Sequence, residues 1–248
     1  MSVSGVTSFT VTRDQLIKAA LEDLSVLEEG GEPSATATQK ASFAINLIIK
    51  SWQADGIKLW TIDNLVVPLV ANQTLYTIGP DVSNDIVSDR PLKVIQGFLR
   101  NTSVTPPVDI PMQALSRQEY NMLGSKASTG TMNSYFYNPK PTYGQLDVYL
   151  TPDSNTATNY DLYIVVQRPL MDMVKATDNF DFPNEWFLAL KWALMSELSS
   201  TYDKTLQERQ YIDAKAKFYK DDLEDWDVEN ASVYFVPDIR MGMNKGFR

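Results

Sequence analysis

Carboxylates crowd the stretch just after Lys220, with Asp221, Asp222, Glu224, Asp225, Asp227 and Glu229 in quick succession. Side chains of this type can move protons or hold a hard cation through oxygen. They are also nearly all the chemistry on offer, because the 248 residues include no histidine and no cysteine. Ser-His-Asp and Cys-His catalysis cannot be built from this chain, and neither can disulfides or sulfur metal sites. What remains is carboxylate, lysine and tyrosine chemistry or an oxygen-ligated metal. The run itself sits where a helix is ending, and acids there oppose the helix dipole. A solvated charged face accounts for it, and so does a lumen or a basic partner that the acids must face.

Other constellations fit plainer readings. "GSKASTG" at 124–130 resembles a phosphate loop, but its glycines are one residue too far apart and Thr131 stands where lysine is needed, so a loop is expected. Asp81, Asn84, Asp85 and Asp89 lack the alternating acids and the sixth-position glycine of a calcium loop. Tyr135, Phe136, Tyr137 and Tyr143 could stack on sugar or serve as core and interface aromatics. A pair of acids for glycoside hydrolysis stays open, although no pair stands out by spacing. No catalytic residue, metal ligand or cofactor is assigned.

Apolar residues at 44% and charged residues at 21% describe a chain able to bury a core. A net charge of -9 argues against gripping nucleic acid through its phosphates, and an acidic wall instead lets a polyanion pass without capture. "MSVSGVTSFTVTRDQ" has neither the basic start nor the apolar core of a secretory signal, and runs such as "NLVVPLVA" are too short to span a bilayer, so no membrane partner is expected. The glycosylation-like triplets at Asn72, Asn101 and Asn230 read as chance.

The elements that position these groups follow from periodicity. Thr12 and Gln15 form a capping box, and Leu16, Ile17, Ala20, Leu21, Leu24 and Leu27 continue a helix expected to stop at Gly30-Gly31. Thr36 and Gln39 form a second box, followed by Ala41, Ala44, Ile45, Ile48 and Trp52, with Leu47 and Ile49 widening the stripe and Gly56 ending the helix. From 59 to 170 the composition turns to β-branched and aromatic residues. "LWTIDNLVVPLV" and "TLYTIGP" suggest a hairpin turning at "ANQ". Strands are expected over 92–99, 145–150 and 160–167, the last two flanking a turn-rich loop "TPDSNTATN". A short helix capped by Ser116, with Glu119 at its third position, interrupts the strands. Helix returns at Pro183, with Phe187, Leu190, Leu194 and Leu198 on one stripe and Trp186, Ala189 and Ala193 widening it. A last helix spans about 205–226, with Tyr211, Ala214, Phe218 and Leu223 on its face. The fold class is α+β: an α-helical bundle from the N- and C-terminal segments, an inserted β-rich domain and an extended C-terminal tail. The divisions are 1–58, 59–170, 171–230 and 231–248.

Taken in order, "SWQADGIKLWT", "VVPLVANQTLYTIGP", "RPLKVIQGFLRN", "DIPMQALSRQEYNML", "NSYFYNPKPTYGQLDVYLTPD" and "FDFPNEWFLALKWALMSELSSTYD" resemble the head-to-tail adaptor family of short-tailed phages, over roughly residues 10 to 220. The resemblance implies a virion structural part in the neck, not an enzyme. Copies would form a ring, on the order of twelve, beneath the portal protein. The ring would extend the DNA channel, retain packaged DNA that passes without sequence-specific binding, and give a tail nozzle or tail tube protein its docking surface. It further implies a C-terminal tail that orders on the portal, which here would use Val233, Tyr234, Phe235, Pro237, Ile239, Arg240, Met241, Met243, Phe247 and Arg248. Asp221, Asp222, Glu224 and Asp225 become candidates for facing the channel. The alternatives are a carboxylate-based peptidoglycan hydrolase and a glycan-binding module of the virion.

Overall fold

Thr12 opens the first helix, α1 (Arg13–Asp23), with both halves of the expected capping box in place: its hydroxyl accepts from Gln15 N at 3.4 Å and its N–H donates to Gln15 Oε1 at 3.0 Å. The computed structural model describes residues 9–55 and 61–226. α1 stops at Leu24, well short of Gly30-Gly31. Ser25 takes a left-handed φ of 53°, and the N–H groups of Val26 and Leu27 both return to the Leu21 carbonyl, which closes the helix early. In α2 (Ala35–Asp55) the cap is Ser34 rather than Thr36, because the Ser34 hydroxyl is the one that accepts the third-position N–H, from Ala37 at 3.2 Å. Ala41, Ile45, Ile48, Ile49 and Trp52 are buried as the periodicity predicts, whereas Leu47 is 54% exposed on the outer side of the helix. Gly56 lies outside the described residues.

The middle of the chain builds β1 (Ile62–Val67), β2 (Leu75–Gly79), β3 (Ile86–Val87), β4 (Lys93–Asn101), β5 (Val108–Ala114), α3 (Arg117–Met122), β6 (Thr129–Gly130), β7 (Ser134–Pro139), β8 (Gly144–Tyr149), β9 (Thr151–Pro152), α4 (Ser154–Asn159) and β10 (Tyr160–Gln167). Eight strands join in the order β1-β10-β4-β5-β7-β8-β2-β3, and β6 with β9 form a separate parallel pair. The expected β1–β2 hairpin does not form. A turn is present, with Asn72 at φ 66°, but β1 pairs with β10 and β2 with β8 and β3. The chain thereby passes from one margin of the sheet almost to the other, leaving it nearly closed. "TPDSNTATN" is also not a plain loop: Asp153 accepts from Thr156 N at 2.7 Å and caps α4. α3 is capped by Ser116 with Glu119 reaching back, as expected.

The inner face of the sheet carries Val67, Tyr76, Ile78, Leu99, Leu146, Val148, Leu162, Ile164 and Val166, closed over by Met112, Met132 and Tyr135. β4 has a glycine where Tyr135 crosses it: a Cβ at Gly97 would stand 2.7 Å from the tyrosine ring.

After β10 the chain crosses to the helices as an extended strap. Arg168 grips Asp181 with both ends of its guanidinium, at 2.5 and 2.9 Å. Arg13 donates to the Val174 carbonyl, and Lys50 to that of Leu170. A short 3-10 turn at Asn184–Trp186 then leads into α5 (Phe187–Ser199), and α6 (Leu206–Trp226) follows. Pro183 precedes the first turn, where its missing N–H costs nothing. Phe187, Leu190, Leu194 and Leu198 are buried with Trp186 and Ala189, in one apolar cluster with the inner faces of α1 and α2. Trp52 and Trp186 meet there with ring centroids 5.6 Å apart. Three of the four residues expected on the α6 face, Tyr211, Ala214 and Phe218, are turned outward. Tyr211 and Phe218 are each 59% exposed, while Ile212 is buried and Tyr219 and Leu223 pack on the cluster. The protein is mixed α+β, with one large, nearly closed sheet and six α-helices among the described residues. No helix among them is long and apolar enough to cross a membrane.

Candidate functional site

The groups with the most chemical promise in the sequence are occupied by local structure. Asp85 accepts from the N–H and hydroxyl of Thr77, at 2.7 and 2.8 Å, and from Gln73. Asp81 accepts from Ser83 N, and Asn84 donates to the Asp81 carbonyl. These bonds hold the 81–85 loop in shape and keep both carboxyl groups below their ordinary range. Burial opposes this at both, and at Asp85 it is the largest single influence, outweighed by the hydrogen bonds from Thr77, Gln73 and its own backbone N–H acting together. In 124–130, Lys126 turns back to the carbonyls of Asn121 and Leu123 and lies 5.2 Å from the Tyr120 ring centre, while Thr129 and Gly130 form β6. The Ser128 N–H closes the turn on the Ser125 carbonyl.

The aromatic cluster divides between the two faces of β7. Tyr135 is in the core. Phe136 points the other way and stacks on Tyr120 at 5.4 Å, with the Arg117 guanidinium over its ring. The Tyr137 hydroxyl donates to the Pro91 carbonyl at 2.5 Å, and burial pushes it up to about 12. Tyr143 keeps part of its surface, but Tyr135 has no ring face left for a sugar.

The buried acid among the described residues is Asp147 on β8, which nothing in the sequence spacing marks. It is 6% exposed, and burial raises it above the ordinary carboxylate range, while Gln145, Tyr120 and Lys140 pull the other way. Gln145 donates to it at 2.9 Å. Two carboxyl groups flanking a cleft are what glycoside hydrolysis uses. The side chains acting on Asp147 are an amide, a phenol and an ammonium, so the site is that of a buried acid pinning α3 to the sheet.

The open surfaces of the helices are better suited to docking. α2, α5 and α6 enclose a groove of about 580 Å³ walled by Leu47, Trp52, Ala193, Ser196, Asp213 and Lys217. A second cavity of about 460 Å³ lies where the end of α1 meets Trp192, Met195, Tyr211 and Ile212. Beside them run the exposed Tyr211 and Phe218 and then the acids. Asp221, Asp222 and Asp225 are exposed, whereas Glu224 shares Lys220 at 3.4 Å with Asp55, which holds the same ammonium at 2.5 Å. The residues named for tail docking, from Val233 to Arg248, lie outside the described residues, as do Asp227 and Glu229. Among the described residues, no group of three or more acids could hold a metal ion together.

Compared with known proteins, residues 11–234 match the family model described as SU10 adaptor protein. No curated protein matches the chain.

Proposed function

The chain belongs to the SU10 adaptor protein family, that of a phage structural adaptor, and from this premise we propose that it is the ring-forming adaptor between portal and tail. The observation that carries the reading is the extent of the match, which takes in α1, the whole sheet and α6 alike. The exposed helix faces and grooves, and side chains that hydrogen-bond inward rather than converge on a cleft, support a part that binds proteins over one that turns over a substrate.

In this reading α1, α2, α5 and α6 act as one bundle, with 59–170 as the inserted β-rich domain. Copies pack side by side, on the order of twelve. The segment 231–248 docks on the portal through Val233, Tyr234, Phe235, Pro237, Ile239, Arg240, Met241, Met243, Phe247 and Arg248. Asp221, Asp222, Glu224 and Asp225 face the channel, where their charge keeps DNA from adhering. A tail nozzle or tail tube protein docks on the opposite side of the ring. The protein works without a cofactor, in the neck of the virion, and is assembled there from the host cytoplasm. Particles produced without this polypeptide test the reading. Heads should fill and then lose their DNA, and should carry no tail. Particles that keep both DNA and tail would refute it.

A further inference from the structure

We propose that the open edge of β5 receives the β1 edge of a neighbouring copy, so that the sheet continues from one subunit into the next. The inference rests on the reading that copies stand side by side in a ring, and adds to it the surface that joins them. β5 pairs with β4 from Val108 to Met112, but reaches β7 only at Gln113 and Ala114. From Val108 to Pro111 its other edge therefore has no strand partner among the described residues, and all four residues are exposed. The outward edge is that of the odd-numbered residues, since the Gln113 N–H goes to the Asn133 carbonyl, so Asp109 presents an N–H and a carbonyl there and Pro111 its carbonyl alone.

The side chains carry the same message. Ile110 lies opposite Leu99, and Met112 opposite Gly97, so both face the core side of the sheet. Along that row Met112 is 8% exposed, Ile110 38% and Val108 53%. The apolar row runs past the structure that covers it, as expected where another strand is to be laid alongside. The hairpin presenting this edge is held rigid. Arg100 binds both oxygens of Asp109 at 2.7 and 2.8 Å, and its guanidinium lies 4.5 Å from the Tyr163 ring centre. Thr102 ties the hairpin tip to the Asn159 carbonyl. Little ordering is left for a partner to impose.

β1 supplies the complementary edge. It is an end strand of the sheet, with Ile62, Asp63, Asn64 and Val66 exposed; it has no lysine, proline or bulge, and Asp63 is its one charged side chain. β1, β10, β4 and β5 are successively antiparallel, so β1 and β5 run in opposite directions. A neighbour related by rotation about an axis along the strands would bring its β1 antiparallel to this β5, and the alternation would continue unbroken.

The absence of cysteine makes the test clean. Val108→Cys is combined in one chain with Asp63→Cys, Leu65→Cys or Val67→Cys, the β1 residues that share its face of the sheet. Each double variant is assembled on purified portal and mildly oxidised. At least one should give a ladder of linked copies under denaturing conditions, and single variants none. Rings of full mass by native mass spectrometry, with all three double variants still running as single chains, would overturn the inference and leave the ring reading standing. If the unaltered chain forms no ring at all, the ring reading fails and takes this inference with it. On the otherwise natural chain, Ile110→Lys should retain the fold and assemble at least tenfold less well; undiminished assembly would count against edge pairing.

Discussion

Asn46 of α2 brackets the backbone of Met173: its Nδ2 donates to the Met173 carbonyl at 3.2 Å and its Oδ1 accepts from the Met173 N–H at 3.0 Å. One side chain thus does for the strap what a neighbouring strand would do. It fixes the path by which the last strand of the sheet hands over to α5. Asn46→Ala would leave both backbone groups of Met173 without these partners. The expected loss is about 1–3 kcal/mol in urea unfolding, with faster hydrogen exchange confined to the strap. Unchanged protection of the Met173 amide would show that the bracket is not what holds it.

Gly97 and Tyr135 make the second prediction. Gly97→Ala places a methyl group 2.7 Å from a ring that is buried to 2% exposure between strands. Overpacking of this kind costs about 1–3 kcal/mol. The urea midpoint should fall with no change in slope. A variant as stable as the parent would mean that the ring has room to move.

The third concerns pH. The folded protein raises the pKa of Asp147, chiefly through burial. In the window between the ordinary carboxylate range and the raised value, the folded state therefore binds more protons than the unfolded one. Its contribution to stability is greatest below that window and is lost as pH rises through it. Asp81, Asp85, Asp109, Asp153 and Asp178 are shifted the other way, and their contributions are lost on acidification. Subtracting the stability of Asp147→Asn from that of the parent across pH isolates the first effect. The difference should shift against the parent as pH rises, and a flat difference would contradict the assignment.

The helices give the fourth. Leu194→Ala, in the fully buried stripe of α5, should cost about 2–5 kcal/mol. Phe218→Ala, on the outward face of α6, should stay within about 0.5 kcal/mol. Reversing that order would restore the face first read from the sequence.

That misreading shows where local pattern stops being informative. In α6 the four residues read as one face divide, Tyr211, Ala214 and Phe218 outward and Leu223 onto the cluster beside Ile212 and Tyr219, because the position of α5 decides which side is buried. Capping at Thr12 and Ser116 was legible because donor and acceptor lie three residues apart in the chain. The partners of β1 and β2 were not, because Ile62 pairs with Gln167 and Leu75 with Asp147, far along the sequence. α1 ended early because Ser25, a residue with no special signal, took the left-handed conformation ahead of the glycines. Among the site residues, the exposure of Asp221, Asp222 and Asp225 follows from their density in the sequence, whereas the burial of Asp147 depends on α3 folding over it.

The tail provides the fifth prediction. Deleting residues 231–248 removes the segment proposed to dock on the portal, and urea unfolding of the shortened chain is measured beside it as a control. Affinity for the portal, measured by sedimentation or calorimetry, should fall at least tenfold. A truncated chain that docks as well as the parent would reassign the docking surface to the helices.

The central claim, an adaptor that assembles on a portal, is tested most directly by mixing the purified full-length chain with purified portal and measuring the mass of the product. The account predicts one species carrying on the order of twelve added chains. Two species, the bare portal and the free chain, would contradict it.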